Sequence, residues 1–257
     1  MTESVLEISN LAVTFDTPDG EVEAVKGISF AIGTGECLGI VGESGSGKSQ
    51  TFLAAFGLTA ANARVSGSVK FQGREVLGLQ RRELDQVRGR HVAFVFQDPL
   101  TALTPHLTIE TQMGEVLEHH FKVTDEAARQ RCIEWLERVR IPEAGRRLAQ
   151  YPHELSGGMR QRVMIAMAMM AEPALLVADE PTTALDATVQ AQVLDLIEDL
   201  RKDTQAAVAL ITHDMGVIAR MAQRVAVMRR GEVVETGAVE EIYSAPKADY
   251  TKMLLKA

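Results

Sequence analysis

The residues best suited to chemistry in this sequence form a glycine-rich stretch with one lysine, GESGSGKSQ, at positions 42–50. It matches the pattern G-x-x-x-x-G-K-[ST] and lies between an apolar run typical of a buried strand and a stretch of helical sequence, as that motif requires. Glycines let successive backbone N–H groups turn toward one anion, and the start of a helix adds positive potential. The stretch predicts a phosphate cradle; the alternative is a chance Gly/Ser loop.

Side chains of this stretch suit a nucleoside triphosphate with Mg²⁺. Lys48 would place its charge on the β- and γ-phosphates, Ser49 would offer a hydroxyl to Mg²⁺, and Gln50 would offer its backbone N–H to the α-phosphate. The residues predicted to bind the nucleotide here are Gly42, Glu43, Ser44, Gly45, Ser46, Gly47, Lys48, Ser49 and Gln50.

Two adjacent carboxylates follow a second apolar run, in the stretch LLVADE. Asp179 would end a buried strand and hold the Mg²⁺ shell, and Glu180 could accept a proton from an attacking water. In isolation, two carboxylates after a strand could equally be a solvated turn. Together with a phosphate cradle, they predict hydrolysis of the nucleotide.

A third stretch, LSGGMRQR at 155–162, places Ser156, Gly157 and Gly158 at the start of a helix. This is a second potential phosphate cradle; the alternative is a serine N-cap followed by glycines. The peptide resembles the signature found in ABC-type ATPases. The resemblance implies that it contacts ATP held by another subunit, so that two chains enclose two ATP molecules head to tail.

Further positions match this family in order. Phe15 stands where the family places an aromatic ring that stacks on adenine, with Phe in place of the commoner Tyr; it could also be a strand core residue. Gln97, which ends FVFQ, resembles the glutamine that reaches Mg²⁺ and the attacking water and faces a membrane partner. The alternative for Gln97 is an amide that caps a turn.

Two more positions complete the resemblance. The segment from Ala184 to Asp186 resembles the loop that crosses the dimer interface, and Asp186 is therefore predicted to lie near nucleotide. His213 in ITHD resembles the histidine that contacts the γ-phosphate and orients Glu180; a structural histidine is the alternative.

Within the ABC ATPases, the finer resemblance is to oligopeptide and dipeptide importers. It rests on stretches such as VFQDPLTALTP, YPHELSGGMRQRVMIAMAMM and ITHDMGVIARMAQRVAVMRRGEVVETG. The sequence departs from that subgroup at Gln50, at Thr104 and in ADYT at 248–251. Many members continue into a Cys-rich tail with an iron–sulfur cluster, which we do not expect here. We expect either a truncated chain or the first half of a tandem two-ATPase polypeptide.

The resemblance also implies partners. These are a second ABC ATPase unit in a homo- or heterodimer, integral membrane permease subunits and, indirectly, a solute-binding protein. The chain would lie peripherally on the cytoplasmic face of the inner membrane. An alternative is an ABC-type ATPase of a soluble multienzyme complex or one associated with nucleic acid. The formal charge of −8 argues against nucleic acid, which requires a clustered basic surface.

The elements that must position these residues follow from the alternation of apolar runs and amphipathic stretches. CLGIV, HVAFVF, ALLVAD and AAVALIT read as buried strands separated by helical sequence, which predicts an α/β fold with a parallel sheet. We expect one ABC ATPase domain over residues 1–257, with an antiparallel β subdomain near the N-terminus and an inserted helical subdomain at about 98–170.

Several local expectations can be checked directly. VLEI and LAVTF read as separate short strands, and a helix capped by Thr124 should stop at Pro142. Cys37, Cys132 and Trp135 should lie in the core. Residues 250–255 should form a terminal helix that packs through Tyr250, Met253 and Leu254. The N-terminus lacks the features of an export signal, and the longest apolar run, at 163–171, is too short to cross a bilayer.

Overall fold

The computed structural model describes residues 4–183 and 185–256, with only the backbone described at 100, 101 and 125. The chain divides into two compact units, here called the first unit (residues 1–88 and 205–257) and the second unit (residues 89–204). Strands and helices are numbered in chain order. The strands of the first unit are β1 (Ser4–Thr17), β2 (Gly20–Gly33), β3 (Cys37–Val41), β4 (Ala63–Phe71), β5 (Arg74–Glu75), β8 (Ala207–Thr212), β9 (Arg224–Arg229) and β10 (Glu232–Ala238). Those of the second unit are β6 (Val92–Val95) and β7 (Leu175–Asp179).

Helices are distributed over both units. The first unit contains α1 (Lys48–Ala55), α2 (Arg81–Val87), α9 (Met215–Met221), α10 (Val239–Ser244) and α11 (Asp249–Leu254). The second unit contains α3 (Pro99–Ala102), α4 (Ile109–Phe121), α5 (Asp125–Arg138), α6 (Ala144–Arg147), α7 (Gly157–Met169) and α8 (Ala187–Thr204), with a 3₁₀ turn at Pro152–Glu154. Within the described ranges, no helix is both long and apolar enough to cross a membrane.

An antiparallel sheet with the order β2-β1-β4-β5 lies in the first unit. The expectation of two short strands is wrong here, because VLEI and LAVTF belong to the single strand β1. The strand is irregular at Asn10, whose φ is 51°, and its register with β4 shifts between Ser9 and Ala12. This shift restores the alternation, so that Leu6 and Ile8 before it and Leu11 and Val13 after it are all buried.

The parallel strands of the first unit confirm the predicted α/β core. Every residue of β3 is buried, and β3 pairs in parallel with β8 on one side and β9 on the other. Burial on both faces explains why CLGIV and AVALIT read as continuous apolar runs. Strand β10 forms an antiparallel hairpin with β9.

The second unit pairs β6 and β7 in parallel and contains the helix-rich stretch predicted at 98–170. Cys132 and Trp135 are buried in α5, as expected. The end of α5 differs from the expectation, because its last helical residue is Arg138 and Pro142 does not stop it. Arg140 takes a left-handed φ of 59°, and its N–H and that of Ile141 bond back to carbonyls of the last turn. This Schellman closure ends the helix before Pro142 is reached.

The C-terminal helix α11 forms as predicted, but it does not pack through all three residues named above. Tyr250 is buried at 5% exposure and Met253 is 49% exposed. Leu254 packs, partly buried, against the cluster to which Tyr250 belongs.

Candidate functional site

The phosphate loop, defined here as residues 42–47, connects β3 to α1. Gly45 and Gly47 both have left-handed φ angles, 77° and 98°, which glycine adopts without strain. The first helical hydrogen bond of α1 runs from Thr51 N to Gly47 O, at 3.0 Å. The N–H groups of Lys48, Ser49 and Gln50 therefore lie before the first hydrogen bond of the helix. They have the orientation found at other helix N-termini that bind anions.

Glycine is required at two loop positions because the backbone of neighbouring strands lies so close. A Cβ on Gly42 would come 2.1 Å from the carbonyl oxygen of Met228, and one on Gly47 would come 2.3 Å from that of Ala24. The loop is also tied to the β9–β10 turn, where Gly231 N donates to Ser46 O at 3.0 Å. The loop is therefore supported from two strands and is largely preorganised.

Lys48 is 6% exposed, and its ammonium group bridges the beginning of the phosphate loop. Its Nζ donates to the carbonyl oxygens of Gly42, at 2.7 Å, and Glu43, at 2.9 Å. A buried ammonium group needs such partners to offset its lost hydration. The charge of Lys48 is thus held at the phosphate loop. There it would act together with the backbone N–H groups in binding phosphate.

His213 lies at the same sheet edge as the phosphate loop. Strands β3 and β8 are in a register that pairs Val41 with Thr212, so Gly42 and His213 directly follow paired residues. His213 is exposed. Phe15 lies elsewhere in the first unit, half-buried in β1 and paired with Val22 and Ala63 of the neighbouring strands.

The predicted carboxylates lie at the end of β7, beside the end of β6. The register pairs Val95 with Ala178, which brings Gln97 close to Glu180. Gln97 Nε2 donates to Glu180 Oε2 at 3.2 Å, and Thr183 Oγ1 donates to the same oxygen at 2.8 Å. Glu180 has a left-handed φ of 47°, an uncommon conformation for a non-glycine residue that often accompanies functional sites.

Thr183 is a residue that the sequence reasoning missed. The sequence shows only that a hydroxyl side chain lies three residues after Glu180. It does not reveal the turn that brings this hydroxyl back to the carboxylate. In the structure the turn is closed by a hydrogen bond from Thr183 N to Glu180 O, at 3.2 Å. This turn brings the threonine hydroxyl onto the carboxylate.

The LSGGMRQR stretch begins α7, with Ser156 as its N-cap; Ser156 Oγ accepts from Met159 N at 3.3 Å. Gly158 packs so closely on α8 that a Cβ would come 2.6 Å from Val189 Cγ1. Ser156, Gly157 and Gly158 line an open groove of about 510 Å³ together with Arg162 and Asp186.

Asp186 lies in this groove and also caps α8. Its Oδ1 accepts from the N–H groups of Thr188 and Val189, each at 3.0 Å. Ala184, the first residue of the predicted interface loop, lies outside the described residues.

Apart from Phe15, the site residues therefore form three clusters, each within one unit. The first is the phosphate loop with Lys48 and His213, the second is Gln97, Asp179, Glu180 and Thr183, and the third is the groove at the start of α7. No three His, Cys, Asp or Glu side chains converge as a metal site in the described part of the chain. The predicted Mg²⁺ ligands Ser49, Gln97 and Asp179 are hard oxygen donors, and Mg²⁺ in such sites takes its other ligands from phosphates and water.

Known proteins resemble this chain both in sequence and in fold. The sequence profile of the family described as "ABC transporter" matches residues 25–183. The chain is 48% identical to the oligopeptide transport ATP-binding protein OppD of Salmonella typhimurium, over 98% of this chain and 76% of that protein. It is also 48% identical to the dipeptide transport ATP-binding protein DppD of Bacillus subtilis, over 98% of this chain and 76% of that one.

A solved structure of the dimeric ATP-binding cassette MJ0796 in a post-hydrolysis state with ADP and phosphate superposes with a TM-score of 0.81. It is 30% identical in sequence and covers 91% of this chain and 98% of its own. The range matched by the family profile, residues 25–183, includes the phosphate loop, the carboxylates after β7 and the glycine-rich start of α7. This chain belongs to the ABC transporter family and is an ATP-binding cassette ATPase.

Proposed function

We propose that this ATPase powers a membrane importer of peptides or similar small solutes. The observation that carries the ATP-driven part of the proposal is the preorganised phosphate loop, with left-handed Gly45 and Gly47 and with Lys48 held above it. The oligopeptide and dipeptide transport names of the relatives at 48% identity support peptides as the solute.

ATP would bind with its phosphates against the loop and the start of α1. Lys48 would keep its two carbonyl partners and donate its third N–H to a phosphate oxygen, and the backbone N–H groups of Lys48, Ser49 and Gln50 would bind the remaining oxygens. Phe15, half-buried in β1, would stack on adenine. Ser49, Gln97 and Asp179 would hold Mg²⁺, which neutralises the charge on the β- and γ-phosphates.

Hydrolysis would use Glu180 as the general base. Its carboxylate would take the proton of the attacking water, while the two donors on its Oε2, Gln97 and Thr183, fix its orientation. His213 would contact the γ-phosphate. The proton leaves water as the new oxygen–phosphorus bond forms and the bond to ADP breaks.

A second ATPase unit would complete the site. Ser156, Gly157 and Gly158, with Asp186 beside them, would contact ATP held by that unit, in a homo- or heterodimer. The groove at the start of α7 is open and presents a helix N-terminus that suits a phosphate. The dimeric state of the cassette MJ0796 supports this arrangement.

Coupling to transport would require integral membrane permease subunits, with a solute-binding protein acting indirectly. The chain would act as a peripheral subunit on the cytoplasmic face of the membrane. Phe96, directly before Gln97, is 40% exposed and stacks on Phe94 with ring centroids 5.7 Å apart. An exposed aromatic side chain next to a nucleotide-site residue suits contact with a permease.

The ATP site is tested by equilibrium binding of a fluorescent ATP analogue to three purified proteins. Wild type and the control Lys70→Ala, which removes an exposed lysine of β4, should bind alike, and Lys48→Ala should lose binding. Retained binding by Lys48→Ala would overturn the proposed role of the loop.

The transport function is tested in cells that carry Glu180→Gln in place of the wild-type chain. Uptake of a labelled tripeptide should fall to the background of a deletion strain, and uptake of the free amino acids should be unchanged. Normal tripeptide uptake, with no permease copurifying with the chain, would exclude peptide import.

A further inference from the structure

A hydroxyl group from the C-terminal helix reaches the phosphate loop. Tyr250, in α11, is 207 residues from Glu43 in sequence, and its Oη accepts a hydrogen bond from the backbone N–H of Glu43 at 3.1 Å. Glu43 is the second residue of the phosphate loop. Both residues belong to the first unit.

The tyrosine ring is firmly held. It belongs to a buried cluster with Val41, Ile218 and Ile242 among others, and the guanidinium of Arg229 lies 4.7 Å from the ring centroid on its face. A ring held by apolar packing and by a cation–π contact has little freedom to move. The hydroxyl therefore presents a fixed acceptor to the loop.

The start of α11 is fixed as well. The carboxylate of Glu235, in β10, accepts from the N–H groups of Lys247 at 2.7 Å and Ala248 at 3.0 Å. These bonds hold the segment that enters α11 on the neighbouring hairpin. The position of Tyr250 is thus set by β10 and by the buried cluster, independently of the loop that it contacts.

The contact acts on the residue whose carbonyl holds the lysine. The N–H of Glu43 points to Tyr250, and its C=O accepts from Lys48 Nζ at 2.9 Å. The preceding residue, Gly42, lies so close to the backbone of β9 that it has no room for a side chain. Rotation of the Glu43 backbone would break the Tyr250 contact and would also misplace the carbonyl that receives Lys48.

We propose that Tyr250 is a positioning residue of the nucleotide site, which orders the start of the phosphate loop and so strengthens ATP binding. The inference rests on the proposed function at that loop. A preorganised loop binds its ligand more tightly because less conformational entropy is lost on binding. The hydroxyl of Tyr250 would act on the nucleotide through the backbone of Glu43.

The test compares Tyr250→Phe with Tyr243→Phe in the full chain. Phe at 250 keeps the ring in its cluster and removes only the acceptor. Tyr243 is the control, since its hydroxyl also forms a hydrogen bond within the first unit, by donating to the carbonyl of Met215. Affinity for Mg²⁺ and a non-hydrolysable ATP analogue is measured, together with the melting temperature of the nucleotide-free proteins.

Loss of one neutral hydrogen bond should weaken nucleotide binding by about three- to tenfold in Tyr250→Phe and leave it unchanged in Tyr243→Phe. Amide exchange of Glu43, measured without nucleotide, should be faster in Tyr250→Phe alone. Wild-type affinity with unchanged Glu43 exchange, or equal losses of affinity in both variants, would overturn the inference and leave the proposed function standing. A wild-type chain that binds no ATP would overturn both.

Discussion

The side-chain amide of Gln97 donates a hydrogen bond to the Glu180 carboxylate at 3.2 Å, across 83 residues of sequence. Gln97 lies two residues after the end of β6, and Glu180 directly follows β7. The parallel pairing of these strands brings the two side chains together. The contact links a residue expected to face a membrane partner with the expected general base. Movement of the Gln97 segment would therefore alter the orientation of the carboxylate.

Glu180→Gln should abolish most ATP turnover and preserve ATP binding. The amide has nearly the shape of the carboxylate but lacks the basic oxygen, so a loss of roughly 10²-fold or more is expected. Steady-state phosphate release and equilibrium nucleotide binding measure the two effects. The control is Glu172→Gln, which changes an exposed glutamate that also has a left-handed φ, 49°. Near-normal turnover by Glu180→Gln would refute the assignment.

Thr183→Val should lower turnover by about tenfold or more, because a hydrogen bond that orients the charged Glu180 carboxylate is lost. ATP affinity should not change, since Thr183 acts through Glu180. Thr183→Ser keeps the hydroxyl and should restore most of the activity. If Val and Ser variants turn over ATP equally, the hydroxyl has no positioning role.

Ser156→Arg should prevent ATP-dependent dimerisation. In the Glu180→Gln background, ATP with Mg²⁺ should shift the chain from monomer to dimer in size-exclusion chromatography. A long cation at the start of α7 would fill the groove in which the partner's phosphate is expected, and the shift should disappear. Ser244→Arg, at an exposed serine of α10, is the control and should still dimerise. Dimerisation by the Ser156→Arg variant would contradict the proposed interface.

Gly158→Ala should destabilise the second unit. The added methyl would lie 2.6 Å from Val189 Cγ1, so either the Val189 side chain or the two helices must shift, at about 1–3 kcal/mol for such overpacking. Gly145→Ala is the matched control, because its Cβ would meet Ile133 Cδ1 at an ordinary 3.8 Å. Urea unfolding of both variants gives the comparison. A Gly158→Ala variant as stable as wild type would mean that the helices can adjust freely.

Glu235 should make stability depend on acid pH. Burial alone would raise the pKa of Glu235, but the hydrogen bonds that its carboxylate accepts and the charge of Lys247 bring the pKa below its ordinary value of 4.5. A lowered folded-state pKa stabilises the fold above the unfolded pKa, and this stability is lost as pH falls through the folded-state value. Glu235→Gln should therefore melt earlier than wild type at pH 7, with a difference that shrinks below pH 4.5.

Thermal melts from pH 7 down to pH 3 provide the measurement. The control is Glu232→Gln, at an exposed position of the same strand, which should melt like wild type throughout. A difference between Glu235→Gln and wild type that is independent of pH would show that the charge of the carboxylate is not responsible.

Local sequence determined most of the elements of this protein. Buried strands such as β3 and β8 are recognisable because burial on both faces demands continuous apolar runs. The phosphate loop is recognisable because glycine, lysine and serine must stand at fixed spacing to surround a phosphate. Local reasoning failed at the end of α5, where the left-handed Arg140 ended the helix before Pro142 could. It also failed in β1, where one irregularity joined two apparent strands.

Tertiary structure alone decided which residues meet. Tyr250 reaches Glu43 and Gln97 reaches Glu180 only because hairpin packing and the register of β6 and β7 bring distant segments together. Gly158 is required because α7 lies directly against Val189, a contact that its own neighbours in sequence do not reveal. A motif is set by local backbone geometry and chemistry, whereas such contacts depend on strand register and helix packing that arise when the whole chain folds.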